Sequence, residues 1–96
     1  MTPRERYLAD IGLIALRHGV TRQDVLGKSR IRNVVEARQH CYWHLRERGR
    51  TFPEIGRLMS RDHSSVIHGR RMHMLRNGIS DGTNLPETAG YSAGVL

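Results

Sequence analysis

Residues 51–66 read TFPEIGRLMSRDHSSV and carry the start signals of two consecutive helices. Thr51 and Glu54 have the spacing of a capping box, and a proline in the first turn of a helix costs no hydrogen bond. Apolar spacing then continues for about two turns before a polar break, where Ser60 or Asp62 can cap the next helix. Two helices joined by so short a turn are typical of a helix-turn-helix.

The second of these helices begins with a run of polar side chains, namely Arg61, Asp62, His63, Ser64 and Ser65. It continues to residue 76, before an Asn-Gly pair that favours a helix end. The second helix of a helix-turn-helix lies in the DNA major groove with its N-terminal residues at the base edges. These five side chains are therefore candidates for contact with DNA, and the two serines are small enough to allow a close approach.

Three more helices are expected upstream. Apolar spacing predicts helix one over residues 3–18 and a long helix over residues 31–48, and a glycine follows each of them. Between them, Thr21 and Asp24 have the spacing of a variant capping box, which predicts a short helix. The fold class we predict is all-α, a small helical bundle that contains the helix-turn-helix.

The chain has 96 residues, which allow one domain with a modest core. We assign residues 1–78 to that domain. From residue 79 to residue 96 the composition shifts to Ser, Gly, Thr, Asn, Asp and Pro with little apolar spacing, which predicts a flexible tail.

Two apolar features can be interpreted in more than one way. Leu13 and Leu16 fall off the apolar stripe of helix one, so this helix is either deeply buried between neighbours or presents a face to a partner protein. Trp43 is either a packed anchor of the long helix or an exposed aromatic residue. The spacing alone does not decide between these alternatives.

The charge indicates a polyanionic partner. The net charge is +7, and fifteen of the sixteen cations are arginine, whose planar fork suits phosphates and guanine edges. Residues 28–76 hold twelve cations and four acids, a net charge of +8, so the excess lies in the half with the helix-turn-helix. Within it, residues 28–32 (KSRIR) form either a solvated connector or a loop for phosphate or a minor groove.

Several other classes of protein fit the sequence poorly. The single Cys41, the lack of a long apolar run and the lack of a phosphate-binding glycine loop predict a cytosolic protein without ATP chemistry. His40 and His44 flank Cys41 with a spacing that could hold zinc, and His63, His68 and His73 add more imidazoles. Because no second ligand pair of conventional spacing is present, we predict no metal, no cofactor, no small-molecule substrate and no enzymatic activity.

Four blocks of the sequence carry a family resemblance. GKSRIR at 27–32, ARQ at 37–39, PEIGR at 53–57 and RDHSSVIH at 61–68 resemble the C-terminal DNA-binding domain, domain IV, of the bacterial replication initiator DnaA. The resemblance covers roughly residues 5–76. It implies a Trp-repressor-like helical fold that binds double-stranded DNA at the nine-base DnaA box, in a nucleoid-associated protein that regulates chromosome or phage replication.

The resemblance also implies a role for individual residues. Asp62, His63 and Ser64 match positions that contact bases in the major groove, with Arg61 beside them. Arg30 matches a position that enters the minor groove, and Arg32 lies in the same segment. The expected phosphate contacts are Lys28, Arg38, Gln39, Arg46, Pro53 and Ser65.

This sequence departs from the family pattern in several places. The family usually has threonine at Ser64 and Ser65 and an apolar residue at His73, and two connecting segments are each one residue shorter here. The ATPase domain is not found in this sequence, which suggests a free-standing relative. Two alternatives to a replication regulator remain: an adaptor that binds DnaA or another replication regulator through helix one, and a transcription regulator that reads DnaA-like boxes.

Overall fold

The computed structural model describes residues 1–80, and this part of the chain consists of helices and short turns. The five helices are α1 (Pro3–Arg17), α2 (Arg22–Leu26), α3 (Arg32–Glu47), α4 (Phe52–Met59) and α5 (His63–Asn77). The predicted all-α fold is confirmed, and no helix among them is long and apolar enough to cross a membrane. The predicted tail lies outside the described residues, apart from Ile79 and Ser80.

Three of the helices begin with the same reciprocal cap. At α4, the Thr51 hydroxyl accepts from the N–H of Glu54 at 3.2 Å, and the Glu54 carboxylate accepts from the N–H of Thr51 at 2.9 Å. Thr21 makes the same pair of bonds at α2, and Thr2 makes them at α1. Because a cap satisfies backbone donors that the helix itself leaves unpaired, these short sequence signals fix where the chain enters each helix.

The long helix α3 is the centre of the core. Ala37, Cys41 and Leu45 are fully buried on it, and α1, α2, α4 and α5 all pack against it. The other fully buried or nearly buried members of this core are Ile11, Ile14, Ala15, Val25, Tyr42, Ile55, Met59 and Val66. The burial of this apolar surface against one scaffold helix is the main favourable contribution to folding.

A glycine brings α5 close to α3. A Cβ on Gly69 would lie 2.4 Å from Cδ2 of the Tyr42 ring, closer than two carbon atoms can approach. Both residues are buried. The two helices therefore pack with the Tyr42 ring directly against the backbone of α5, a contact that only glycine permits. Glycine inside a helical pattern is the sequence signal for such an approach.

The outer face of α1 resolves one of the alternatives. Leu13 is 62% exposed and Leu16 is 73% exposed, whereas Ile11 and Ala15 are fully buried. Deep burial of α1 between neighbours is therefore wrong, because only one stripe of the helix meets the core. The two leucines form an apolar surface that nothing in residues 1–80 covers.

The aromatic residues at the far end of α5 form a small cluster. His73 is 6% exposed and stacks on His40, with ring centroids 4.5 Å apart and planes 12° apart. Trp43 is half-buried, and its ring lies 5.2 Å from His73 and 6.1 Å from His40. Trp43 is thus a packed residue, and His73 is a core histidine where the family pattern expects an apolar side chain.

Candidate nucleic-acid interface

The turn between α4 and α5 is tight and closed by backbone contacts. Ser60 ends α4 in a left-handed conformation with φ 54°, and the N–H of Arg61 donates to the Gly56 carbonyl at 2.7 Å. A Cβ on Gly56 would lie 2.5 Å from the Arg61 carbonyl oxygen, so a larger residue would displace the turn. Asp62 caps α5 by accepting from the N–H of Ser64 at 3.0 Å. The predicted helix-turn-helix is present, and Gly56 permits its close turn.

The first turn of α5 presents its polar side chains to solvent. Asp62, His63, Ser64 and Ser65 are all exposed. Their polar contacts in the described chain are local: Asp62 Oδ2 accepts from the N–H of Ser64, and Asp62 Oδ1 lies 3.9 Å from His63 Nδ1. A carboxylate can accept from cytosine N4, and small or apolar groups can contact the thymine methyl. This turn therefore carries the groups needed to distinguish bases.

The basic loop, residues 27–31, connects α2 to α3. The side chains of Lys28 and Arg30 are exposed on it. Arg32 is the first residue of α3, and its exposed side chain donates to Glu36 Oε2 at 3.0 Å. That hydrogen bond is the largest cause of a lowered pKa for the Glu36 carboxyl. Because such exposed ion pairs contribute little stability, Arg32 can exchange Glu36 for a phosphate at small cost.

Arg38 is turned into the protein. It is 8% exposed, and its Nε donates to the Val25 carbonyl at 2.8 Å while Nη1 donates to the Ser29 carbonyl at 3.0 Å. Its Nη2 donates to the carbonyls of Asp24 at 3.2 Å and Gly27 at 3.0 Å. The guanidinium thus satisfies the end of α2 and the basic loop, a placement that does not match the predicted phosphate contact.

Arg61 is also directed towards the basic loop. Its Nη2 donates to the carbonyl of Gly27, and its Nη1 donates to the carbonyl of Ser60 at 3.2 Å. The Gly27 carbonyl therefore accepts from two arginines, Arg38 and Arg61. Burial is the main cause that lowers the pKa of Arg38, and the charge of Arg61 lowers it further. Among the residues predicted for the major groove, Arg61 differs because its guanidinium is engaged within the protein.

Two clefts bring most of the predicted contact residues together. One cleft of about 390 Å³ separates the basic loop from the turn before α5 and is lined by Lys28, Arg30, Arg38, Ser60, Arg61 and Asp62. The other, also about 390 Å³, lies between α3 and α5, and its lining includes Gln39, Ser64, Ser65, Arg38 and Arg61. Since Arg38 and Arg61 line both clefts, the two clefts adjoin, and together they contain candidate residues for the major groove, the minor groove and the phosphates.

Arg46 and Pro53 lie apart from these clefts, around the start of α4. The Arg46 guanidinium carbon is 4.8 Å from the centre of the Phe52 ring, and its Nη1 donates to the Arg50 carbonyl at 3.1 Å. Pro53 is exposed next to that ring. Arg70 of α5 approaches the same ring at 6.0 Å, a neighbour that the sequence analysis did not identify. Arg46 and Arg70 therefore place two positive charges close to the Phe52 ring.

The residues considered as a zinc site have other partners. His40 Nδ1 lies 3.0 Å from His18 Nε2, and His44 Nε2 lies 3.1 Å from Asp10 Oδ2. Cys41 is fully buried, and burial raises the pKa of its thiol to about 12. In the part of the chain that the structure describes, no group of three or more His, Cys, Asp or Glu residues is placed to hold a metal ion.

Comparisons with known proteins agree with this geometry. The family model of the bacterial DnaA protein helix-turn-helix matches residues 11–72. The chromosomal replication initiator protein DnaA of Rhizobium johnstonii is 40% identical over 72 residues, and that of Rhizobium meliloti is 38% identical over 72 residues. Each alignment covers 72% of this chain and 15% of the relative, so the chain spans a small part of the length of these initiators. No solved structure gave a significant match.

The matched region runs from α1 into α5 and contains the basic loop, the turn and the exposed start of α5. It corresponds to the DNA-binding helix-turn-helix domain of DnaA and not to its ATPase domain. The resemblance seen in four short blocks is thus confirmed over more than half of the chain. This protein belongs to the DnaA helix-turn-helix family.

Proposed function

We propose that this protein binds double-stranded DNA in a sequence-specific manner, at sites that resemble the nine-base DnaA box. The observation that carries the proposal is the cleft that has the basic loop on one side and the exposed start of α5 on the other. The start of α5 enters the major groove, as the second helix of a helix-turn-helix does. Arg30 reaches the neighbouring minor groove, whose negative potential attracts arginine.

The contact residues fall into three groups. Asp62, His63 and Ser64 contact base edges, while Arg30 and Arg32 serve the minor groove. The phosphate backbone is held by Lys28, Gln39, Arg46, Pro53 and Ser65. Compared with the set expected from the sequence, Arg38 and Arg61 are removed, because their guanidinium groups donate to protein carbonyls.

Such binding regulates the initiation of chromosome or phage replication. A DnaA-type domain that occupies a box competes with an initiator for that box or assists it there. The protein acts without catalysis of its own and is found with DNA in the nucleoid, inside the cytoplasm. Its affinity comes mainly from the cations assigned to DNA, which are Lys28, Arg30, Arg32 and Arg46, and its specificity comes from the first turn of α5.

A mobility-shift comparison of a DnaA-box duplex with a scrambled duplex, repeated across salt concentrations, tests the proposal. Neutralisation of about four phosphates by the assigned cations predicts that log K falls with log salt at a slope of about −4. The box should bind at least about a thousandfold more tightly than the scrambled duplex. Equal affinity for the two duplexes, or affinity that does not depend on salt, would contradict the proposal.

Arg46 provides an internal control for this experiment. Because it is assigned to phosphate, Arg46→Ala should weaken the box and the scrambled duplex by the same factor and reduce the salt slope by about 1. Arg30→Ala should instead weaken the box most where its minor groove is A·T-rich. A loss of box preference in Arg46→Ala would mean that Arg46 reads bases.

The exposed leucines of α1 favour a second candidate function, contact with DnaA or another replication regulator. Leu13 and Leu16 lie on the outer face of α1, and neither is part of the cleft-lining surface assigned to DNA. An adaptor could therefore hold DNA and a protein at the same time. Titration of purified DnaA into this protein, with Leu13→Gln/Leu16→Gln as the comparison, tests this function. Equal binding by the two forms, or none by either, argues against it.

A further inference from the structure

The Gly27 carbonyl is a junction between the two parts of the surface assigned to DNA. It accepts from Arg38 Nη2 at 3.0 Å and from Nη2 of Arg61. Arg38 comes from the scaffold helix α3, and Arg61 comes from the turn that leads directly into α5. Gly27 itself opens the basic loop that carries Arg30. One backbone atom therefore links the loop, the scaffold and the start of α5.

The two arginines are themselves held in place. Arg38 is buried and donates to three further carbonyls, and a buried charge is stable only when its donors are satisfied in this way. The backbone of Arg61 is fixed by its N–H bond to Gly56 of α4. Neither guanidinium can move far without breaking these bonds, so the basic loop is attached to a rigid frame.

The contacts of Arg61 also explain why its side chain is an arginine. A guanidinium is a planar fork whose two ends can donate to different acceptors, and here they reach Ser60 and Gly27. The second guanidinium on the same carbonyl repels it, and the lowered pKa of Arg38 has that charge among its causes. The repulsion is tolerated because each guanidinium also donates to other carbonyl oxygens, which belong to Asp24, Val25 and Ser29 for Arg38 and to Ser60 for Arg61.

We propose that Arg38 and Arg61 are positioning residues that fix the basic loop relative to the first turn of α5, so that Arg30 and the Asp62-to-Ser64 turn engage adjacent grooves together. This inference rests on the proposed function. A loop held in its bound conformation before DNA arrives loses less conformational entropy on binding. Arg61 thus acts on DNA through Arg30 and makes no base contact of its own.

The test is a double-mutant cycle between Arg30 and Arg61 on the DnaA-box duplex. Arg30→Ala should weaken binding by about 10-fold or more in the wild-type background. In the Arg61→Ala background, where the loop no longer delivers Arg30, the same change should cost at most about 2-fold, because residues that act as a unit are not additive. Arg61→Lys should rescue little, since an ammonium cannot reproduce the fork.

Arg57→Ala is the matched control. Arg57 is an exposed arginine on α4 that lines neither of the two clefts, and its loss changes the net charge by the same amount. In the double variant, the fold-losses of box affinity caused by Arg57→Ala and by Arg30→Ala should multiply. Multiplicative penalties for Arg61 and Arg30 would overturn the inference and would make Arg61 a direct reader of DNA.

A second measurement needs no DNA. Backbone NMR order parameters of residues 28–31 should fall in Arg61→Ala and stay unchanged in Arg57→Ala, with the unfolding temperature showing that both variants are folded. Unchanged loop order in Arg61→Ala would overturn the inference. A wild-type protein that does not prefer the box contradicts the proposed function instead, and the loop measurement still decides whether Arg61 holds the loop.

Discussion

The two ends of α5 have opposite surroundings. At the N-terminal end, residues 62–65 are exposed and their polar contacts are local. At the C-terminal end, His73 and Met74 are buried, and His73 stacks on His40 of α3. The 15-residue helix α5 therefore has an exposed polar end and a buried end that packs on α3.

This difference shows why the first turn of α5 is not needed for packing against the core. Val66, Gly69 and His73 are buried along α5, with Gly69 against Tyr42 of α3 and His73 against His40 of α3, so packing along the rest of α5 holds the helix in place. The first turn does not have to contribute apolar contacts to the core. The side chains of this turn can therefore serve contact with a partner, and their removal should reduce binding affinity more than it reduces the stability of the fold.

The largest expected effect is a loss of DNA affinity on substitution at the N-terminal end of α5. Asp62→Ser keeps an N-cap residue while removing the carboxylate, and His63→Ala removes the imidazole. Because each base contact contributes ~1–3 kcal/mol, the double variant should lose box affinity by about thirtyfold or more. Non-specific binding should remain, because the phosphate contacts are intact. Mobility shifts on box and scrambled duplexes measure both.

The control for this variant lies at the other end of the helix. Leu75 is 69% exposed, and Leu75→Ala should leave the affinity for both duplexes unchanged. If Asp62→Ser/His63→Ala weakens the scrambled duplex as much as the box, the first turn of α5 provides general attraction and not base recognition. The proposed division of roles along α5 would then be incorrect.

A smaller effect is expected where α5 packs on α3. Gly69→Ala places a methyl group against the Tyr42 ring, and overpacking of this kind should lower the free energy of unfolding by about 1–3 kcal/mol. Gly12→Ala is the matched change in α1, where the nearest side-chain atom is 3.9 Å away. It should raise stability by ~0.5–1 kcal/mol, because alanine favours helix more than glycine. Urea denaturation of both variants measures the difference.

The two glycine variants sharpen the comparison between the ends of α5. If Gly69→Ala were as stable as Gly12→Ala, the contact between the Tyr42 ring and α5 would not be needed to hold the helix. The exposed first turn would then need another support. Circular dichroism distinguishes a shifted α5 from partial unfolding, since a shift retains the helical signal.

The next effect concerns the histidine cluster at the C-terminal end of α5, in which His73 is buried and His18 and His40 are half-buried. Burial is the largest cause that lowers the pKa of His40 to about 4, and burial also lowers the pKa of His73 and His18. Neighbouring positive charges add to the lowering, with Arg17 and Arg76 near His18, whereas Glu36 raises the pKa of His18. The unfolded chain therefore binds more protons than the folded protein between about pH 6.5 and pH 4.

It follows that the free energy of unfolding should fall as the pH decreases from about 6.5 towards 4 because of these histidines. Below about 4 the loss continues through carboxyls whose pKa is lowered in the folded protein, such as Glu36. His40→Gln should make that slope shallower, because one of the depressed groups is removed. Leu75→Ala changes no titratable group and should keep the wild-type slope. Thermal unfolding at several pH values checks the prediction, and a steeper slope in His40→Gln would contradict it.

The helices and the exposed first turn of α5 could be predicted from the sequence, because the signals that specify them lie close together in the chain. The Thr51 capping box, the apolar stripe of α3 and the polar run that starts at Asp62 each depend on residues within a few positions of one another. These signals act in the same way whatever packs around them. The helix bounds and the helix-turn-helix were accordingly predicted well.

The charge pattern could not predict that the side chains of Arg38 and Arg61 donate to carbonyls of the protein itself. Arg38 and Arg61 were expected to contact DNA, but both donate to carbonyls of residues 24–29, which become their neighbours only in the folded chain. Arg38 did carry one signal, since it lies on the apolar stripe of α3 between Val34 and Cys41. A cation on such a stripe either snorkels to the surface or finds buried acceptors.

The smallest effect is expected on the outer face of α1, where the two exposed leucines resemble the first turn of α5 in one respect. Both groups lie outside the core, so Leu13→Gln/Leu16→Gln should change the free energy of unfolding by no more than about 0.5 kcal/mol. The affinity for the box should also stay within about twofold, because neither leucine lines the clefts assigned to DNA.

The matched control is Ile14→Ala on the buried stripe of α1, which should lower the free energy of unfolding by ~2–5 kcal/mol. A large loss of stability in the leucine variant would contradict the conclusion that this face is not needed for folding, whereas unchanged stability with lost binding to DnaA would assign the face to a protein partner.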